Sequence, residues 1–346
     1  MSLLSYSGVT TKVRAMSGKL LKDHDYRLLC SSSSVQEYVN ELKQFRSYEM
    51  MFAHVNVENL HRGDIEKLLT KSVFADFSRI YRFANTKQRD YLELHVMKYQ
   101  VEILKSCLRM IFDKRNPELH LEMYQDFFKK HSNLDLVNLS NSTSIEEFID
   151  NLHGTVFYQP LSKLLPIEKP TLFDYEMQLD LFYFVTLYKY CPKHLKGDDL
   201  SIIMNALGIQ IDLLNIQWIY RAKKYLKLTE VELYKIIIPI HFKLKRDQIR
   251  FLIQAESMDL FEQTLNDTYY GNKFSSLDSY SLEDAFVQLQ EKLNKTDSQR
   301  NPYSIAVIKQ YLYNKEKEVK KLTTVLECVR YGYDPKEIEQ YLQTEV

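Results

Sequence analysis

Ser34-Val-Gln-Glu-Tyr-Val-Asn-Glu-Leu42 recurs in altered letters as Ser144-Ile-Glu-Glu-Phe-Ile-Asp-Asn-Leu152 and again, more weakly, as Ser257-Met-Asp-Leu-Phe-Glu-Gln-Thr-Leu265. In the first two copies a serine followed three residues on by glutamate forms a capping box, which satisfies the orphan amides of a helix start. Val35, Tyr38, Val39 and Leu42 then fall at i, i+3, i+4 and i+7, the spacing of one helical face, and Ile145, Phe148, Ile149 and Leu152 repeat it. In the third copy Met258, Phe261 and Leu265 keep the face, while the acid of the box has become Leu260. The offsets are 110 (34 to 144) and 113 (144 to 257). A tyrosine closes each copy, at Tyr48, Tyr158 and Tyr270.

One amphipathic helix resembles another, so a second landmark is needed. Val101, Leu104, Cys107 and Leu108 have counterparts in Leu213, Ile216, Ile219 and Tyr220, an offset of 112 (104 to 216). Val319, Leu322, Val325 and Leu326 follow at 106 (216 to 322). Two landmarks with one period indicate three diverged copies, at 1–113, 114–227 and 228–346; the competing reading is three unrelated amphipathic helix pairs. A period near 110 is far longer than the roughly 20–50 residues of a solenoid rung, so each copy is expected to be a small helical domain.

Composition agrees with an all-α chain. Gly and Pro number 8 each in 346 residues, under half of their roughly 12% combined average share, which leaves few helix breakers. From Asp64 to Phe112 neither occurs, and Ile65, Leu68, Leu69, Val73 and Phe77 keep helical spacing, so one or two long helices are expected there. Thr229-Glu-Val-Glu232 and Ser281-Leu-Glu-Asp284 read as further capping boxes, and Asp334-Pro335-Lys-Glu337 as the start of a last helix. Loops are expected at 166–170, at Cys191–Gly197 and at the polar Asn294–Pro302.

Lys+Arg and Asp+Glu balance at 46 each, so no net field draws in a polyanion, and nucleic acid is not expected as a partner. The N-terminal stretch from Met1 to Tyr6 lacks the basic start and apolar core of a signal peptide, which points to the cytosol. The apolar runs at 181–188 and 236–240 are under half of the roughly 20 residues a bilayer crossing needs. Cys30, Cys107, Cys191 and Cys328 lie far apart without CxxC spacing and read as reduced thiols.

Catalytic chemistry finds little to stand on. No GxxxxGK[ST], GxGxxG or GxSxG occurs, so phosphate cradles and nucleophile elbows have no candidate. Cys191-x-x-His194 has ligand-like spacing but lacks the second pair of a closed zinc site. Asp198-Asp199-Leu-Ser-Ile lacks the further aspartate of helical isoprenoid enzymes, and His54, His61, His95, His120 and His153 are dispersed. No catalytic residue, cofactor or metal site is assigned. The basic clusters Arg221-Ala-Lys-Lys224 and Lys243-Leu-Lys-Arg246 suit helix ends meeting the negative dipole, or alternatively a surface for an acidic partner or anionic headgroups.

At these landmarks the chain resembles the C/d subunit family of V-type rotary ATPases and ATP synthases. Lys12-Val-Arg-Ala-Met-Ser-Gly-Lys-Leu-Leu21 with Asp25-Tyr26 resembles the family's opening helix. Ile211-Asp-Leu-Leu-Asn-Ile216 with Arg221-x-Lys223-x-Tyr225 resembles its Asp-x-x-Asn-Ile…Arg-x-Lys pattern. Asn151-Leu-His-Gly-Thr155…Tyr158 resembles its Leu-x-x-Thr-x-x-Tyr turn, and Tyr311-Leu312…Lys315-Glu-Lys-Glu-Val319 its C-terminal signature. The asparagine of the second copy is Ile103 in the first and Lys321 in the third.

The resemblance implies a pseudo-threefold, funnel-shaped helical socket. It would sit on the cytoplasmic face of a membrane rotor ring and hold the foot of the central shaft. Such a subunit would be non-catalytic, would not itself span the membrane, and would be a monomer when isolated. Arg14, Lys19, Arg221, Lys223 and Lys224, which lie in the family-like motifs, are the expected partner contacts. The alternative is a helical scaffold or adaptor of another cytoplasmic complex.

Overall fold

A computed structural model describes residues 3–53, 55–56, 62–113, 121–271 and 279–344. Among them lie eighteen α-helices and no strand. His54, His61 and His120 fall outside the described residues.

The three serines start equivalent helices. Ser34, Ser144 and Ser257 all hold extended backbone at φ −153°, −132° and −132°, and the hydroxyl of each accepts the amide three residues on, from Glu37, Glu147 and Leu260. In the first two copies the glutamate reaches back further than the pattern predicts. Glu37 accepts both the amide and the hydroxyl of Ser33, and Glu147 both the amide and the hydroxyl of Thr143. These bonds favour the charged carboxylates and hold both below the usual glutamate range. The third copy, with Leu260, keeps only the hydroxyl cap.

Each copy then turns and buries an aromatic ring. Tyr48 and Tyr270 are the buried rings of the outer copies, but in the middle copy the buried ring is Phe157, and Tyr158 is half-buried, stacked on His153. The reason is a hydroxyl-capped turn. Thr155 donates to Leu152 O and accepts the Phe157 amide, as Thr268 donates to Leu265 O and accepts the Tyr270 amide. Phe157 and Tyr270 both lie 13 positions past their serine.

The chain forms two compact units, one from residues 1–85 with 294–346 and one from residues 86–293. In the first, helices Leu3–Ser17 and Arg62–Phe83 pack on the 27-residue helix Ile305–Tyr331, and the short helices Asp23–Cys30, Val35–Leu42 and Pro335–Thr344 close its other flank. Its core joins residues nearly 300 positions apart in the chain, with Leu29, Tyr38, Leu42 and Tyr48 against Leu322 and Val325. In the second, Thr86–Asp113 pairs with Leu172–His194, which also packs on Gly197–Arg221. Gly208 lets the Phe242 ring lie directly on the last of these, where any Cβ would collide with it. The stretch Asp64 to Phe112 is thus two helices, Arg62–Phe83 and Thr86–Asp113.

Two expected loops are helical. Helix Ser279–Arg300 runs through 294–300 because its polar residues face another helix: Ser298 bonds Gln310, and Lys309 bonds Asn294. Helix Leu172–His194 continues through Pro192, which removes the single bond to the carbonyl four residues back and ends the helix within three residues, so the loop shrinks to Leu195 and Lys196. The Ser281 box lies inside a helix that begins at Ser279, and the side chains at 281–284 are outside the described residues. Gly197–Leu226 is long and apolar enough to cross a membrane, which the short runs read from sequence are not, but 67% of its apolar window is buried in the protein.

Replacing Ser34, Ser144 or Ser257 with Ala is expected to cost about 1 kcal/mol each in urea unfolding, and equal costs at the three sites would support their equivalence. Lys309 is half-buried, and desolvation outweighs its attraction to Asp297, lowering its pKa to about 8. The unfolded chain therefore binds more protons than the folded one between about pH 8 and 10. Over that range wild type should gain thermal stability relative to Lys309→Met, and a constant gap would refute the assignment.

Candidate functional site

Three buried polar side chains, Gln100, Asp212 and Glu318, share one register position. On helix Gly197–Arg221, Asp212 is fully buried and accepts the backbone amides of Phe242 (3.2 Å), Lys243 (2.6 Å) and Leu244 (2.8 Å) and the phenol of Tyr270 (2.9 Å). Three residues on, Asn215 takes both backbone polar groups of one residue, donating to Ile238 O at 3.0 Å and accepting the Ile238 amide at 2.8 Å. Between them the two side chains pin the segment from Ile238 to Leu244 against the helix. Desolvation raises the Asp212 pKa, although its four donors favour the charged form.

The corresponding position in the other unit is Glu318, 106 positions further, at the offset that relates Ile216 to Leu322. Its Oε1 accepts Lys315 Nζ at 2.7 Å and the Tyr48 phenol at 2.7 Å, and its Oε2 accepts the Leu21 amide at 2.6 Å. Lys315 also donates to the Tyr48 hydroxyl at 2.8 Å and lies 4.3 Å from that ring's centroid. The side chains of Lys315 and Glu318 are 1% and 3% exposed, so the pair is held almost without water. Nearby, Tyr311 donates to Asp76 at 2.6 Å, and Arg79 pairs with the same carboxylate at 2.8 Å.

The third register position is Gln100, whose amide donates to Ser132 at 2.7 Å. Acid and phenol therefore change together: Glu318 with Tyr48, Asp212 with Tyr270, and neutral Gln100 where the buried ring is Phe157, which has no hydroxyl. Asp212 and Glu318 lie in the family-like motifs at 211–216 and 311–319; the common offsets that relate them to each other and to Gln100 are the signal those motifs miss.

The five expected contact residues fall in two places. Arg14 and Lys19 are exposed in the unit holding both termini, where Arg14 stands 5.4 Å from the Tyr303 ring. Lys19 contributes its carbonyl, which accepts the Ser47 hydroxyl at 2.6 Å. Arg221, Lys223 and Lys224 lie together at the end of Gly197–Arg221. Lys223 is turned inward, donating to Ala255 O at 2.8 Å, and desolvation lowers its pKa. Lys224 donates to the Tyr220 phenol at 2.6 Å and lies 5.0 and 5.5 Å from the Tyr220 and Tyr225 rings. The Cys191 thiol is buried, which pushes its pKa up to about 11, and His194 stacks on Tyr190 at 5.6 Å.

Over nearly its whole length the chain matches known proteins. The family model described as ATP synthase (C/AC39) subunit matches residues 9–341. The C subunit of the A-type ATP synthase of Pyrococcus abyssi is 25% identical over 97% of this chain and 89% of its own length. That of Methanocaldococcus jannaschii is 24% identical over 98% and 86%, and that of Methanosphaera stadtmanae 22% over 99% and 89%. The chain belongs to the ATP synthase (C/AC39) subunit family.

Glu318→Gln leaves the Lys315 ammonium buried without a counter-charge and is expected to cost about 3–5 kcal/mol. Tyr48→Phe and Tyr270→Phe should each cost about 1–3 kcal/mol, the range for stranding a buried polar partner. Denaturant unfolding measures all three, and a Glu318→Gln cost below that of Tyr48→Phe would count against the ion pair as the centre of its unit.

Proposed function

We propose that this chain is a non-catalytic central-stalk subunit of a V/A-type ATPase or ATP synthase, a socket that couples the rotating shaft to the membrane ring. Its three copies, 1–113, 114–227 and 228–346, would surround a pseudo-threefold axis and form a funnel that receives the foot of the shaft. The observation that carries this reading is the coverage of the family match, from residue 9 to residue 341, with relatives named as C subunits of A-type ATP synthases. The matched register at Gln100, Asp212 and Glu318 supports three related copies.

The chemistry suits a passive mechanical part. The buried acids are occupied by backbone amides, phenols or a lysine, an arrangement that fixes segments in place and leaves no carboxylate poised for proton transfer at the register positions. Torque would pass through long helices whose polar residues tie loops and chain ends to them. The chain would act on the cytoplasmic face of the membrane, between shaft and ring subunits, and be a monomer when isolated.

In membrane vesicles from a strain lacking this chain, ATP hydrolysis should persist while ATP-driven ion uptake falls to background, and the restored gene should recover uptake. Unchanged coupling of uptake to hydrolysis in the deletion strain would reject the socket.

A further inference from the structure

Within the unit of residues 86–293, helix Gly197–Arg221 ends in an uncommon way. It widens into a π-helical turn, Ala222–Leu226, and terminates at Lys227 in left-handed backbone with φ 50°. That conformation suits glycine and penalises a residue with a Cβ. A lysine there is a strained choice for folding, and isolated π-turns and backbone strain of this kind concentrate at functional sites.

The surface around it has the composition of an interface. Tyr225 and Leu226 are each 56% exposed, Val231 67% and Tyr234 46%, four large apolar side chains within a short stretch of chain. Val231 and Tyr234, three positions apart, share one face of helix Glu230–Ile236, while Leu233 and Ile236 of the same helix are buried. Between Arg221 and Lys235 stand five basic residues and two acids in a chain with no net charge. Exposed apolar and tyrosine side chains close together in the chain, among excess positive charge, fit a protein partner that brings carboxylates and apolar side chains.

We propose that the surface of Tyr225, Leu226, Val231 and Tyr234, with Lys227 at its edge, docks an acidic segment of another subunit of the same complex. The inference rests on the socket reading and adds where on the chain, and to what chemistry, one contact is made. An anionic bilayer fits less well. Glu230 and Glu232 interrupt the patch, and Lys223 and Lys224 already donate to Ala255 O and the Tyr220 phenol. That leaves at most three of the five basic residues for headgroups, below the roughly four to eight that anionic membranes recognise.

The test is reconstitution of the full chain with the purified shaft and ring subunits, using wild type, Lys227→Gly and the double variant Val231→Ser/Tyr234→Ser. Circular dichroism establishes that each is folded, and Lys227→Gly should melt no lower than wild type, since it removes charge while relieving the backbone. The double variant should bind about tenfold more weakly or worse, as interface anchors do. Lys227→Gly should bind several-fold more weakly at low salt, with the difference shrinking as salt rises. A photo-crosslinker at position 231 should attach to an Asp/Glu-rich stretch of one of those subunits. Wild-type affinity in both variants, or crosslinking to a segment without acids, overturns this surface and leaves the socket intact. So does binding to phosphatidylglycerol vesicles that the variants lose while affinity for the other subunits is unchanged. If wild type itself binds neither shaft nor ring subunits, the socket and this surface fall together.

Discussion

The ion pair between Lys315 and Glu318 is the constraint on which the unit of both termini depends. Two opposite charges buried in an apolar core lose their hydration, and attraction alone does not reliably repay it. The pair persists because its spare hydrogen-bonding capacity is used: the Tyr48 phenol bridges the two groups, and Glu318 also takes the Leu21 amide. Each bond reaches the N-terminal part of the chain. An apolar pair could fill the same space, but it would not select which loop and which turn must lie against helix Ile305–Tyr331.

Asp212 solves the same problem in the other unit with different partners. Having no lysine beside it, it gathers three successive amides and the Tyr270 hydroxyl, so backbone dipoles do the work of the ammonium. Asn215 extends the grip to Ile238. Departures at the asparagine position therefore matter less than they look in the sequence, since a buried polar residue three positions earlier, Gln100, Asp212 or Glu318, is the part that recurs.

What could be read from the letters was what depends on near neighbours. A serine cap and the i, i+3, i+7 face act within one or two turns, so the helix starts at 34, 144 and 257 were legible, and so was the proline start at 335. Partners distant in the chain were not. Nothing local marks Lys315 and Glu318 as buried rather than as a solvated charged run, because Tyr48, which accommodates them, lies far back in the chain. The polarity of 294–300 misleads for a related reason: asparagine and serine suit a loop, yet here they meet Lys309 and Gln310 on the next helix. The buried ring at Phe157, one position before the closing Tyr158, follows from the Thr155 turn, which accepts the Phe157 amide as Thr268 accepts that of Tyr270. The candidate contacts were legible as basic letters, but the inward turn of Lys223 was not, since it requires Ala255 O to be in reach.

The bond from the Leu21 amide to Glu318 spans 297 positions of chain, and this sets an order of events during synthesis. At roughly 5–20 residues per second, residue 318 follows residue 21 by tens of seconds. The stretch 1–85 therefore emerges without the long helix it is to cover, and leaves Tyr38, Leu42 and Tyr48 without Leu322, Val325 and Leu326, the part of their core that the long helix supplies. The middle of the chain, 86–293, has its own core residues in hand earlier. The unit that contains residues 1–85 is thus completed after the other, and its apolar helices are the part of the newborn chain most in need of protection.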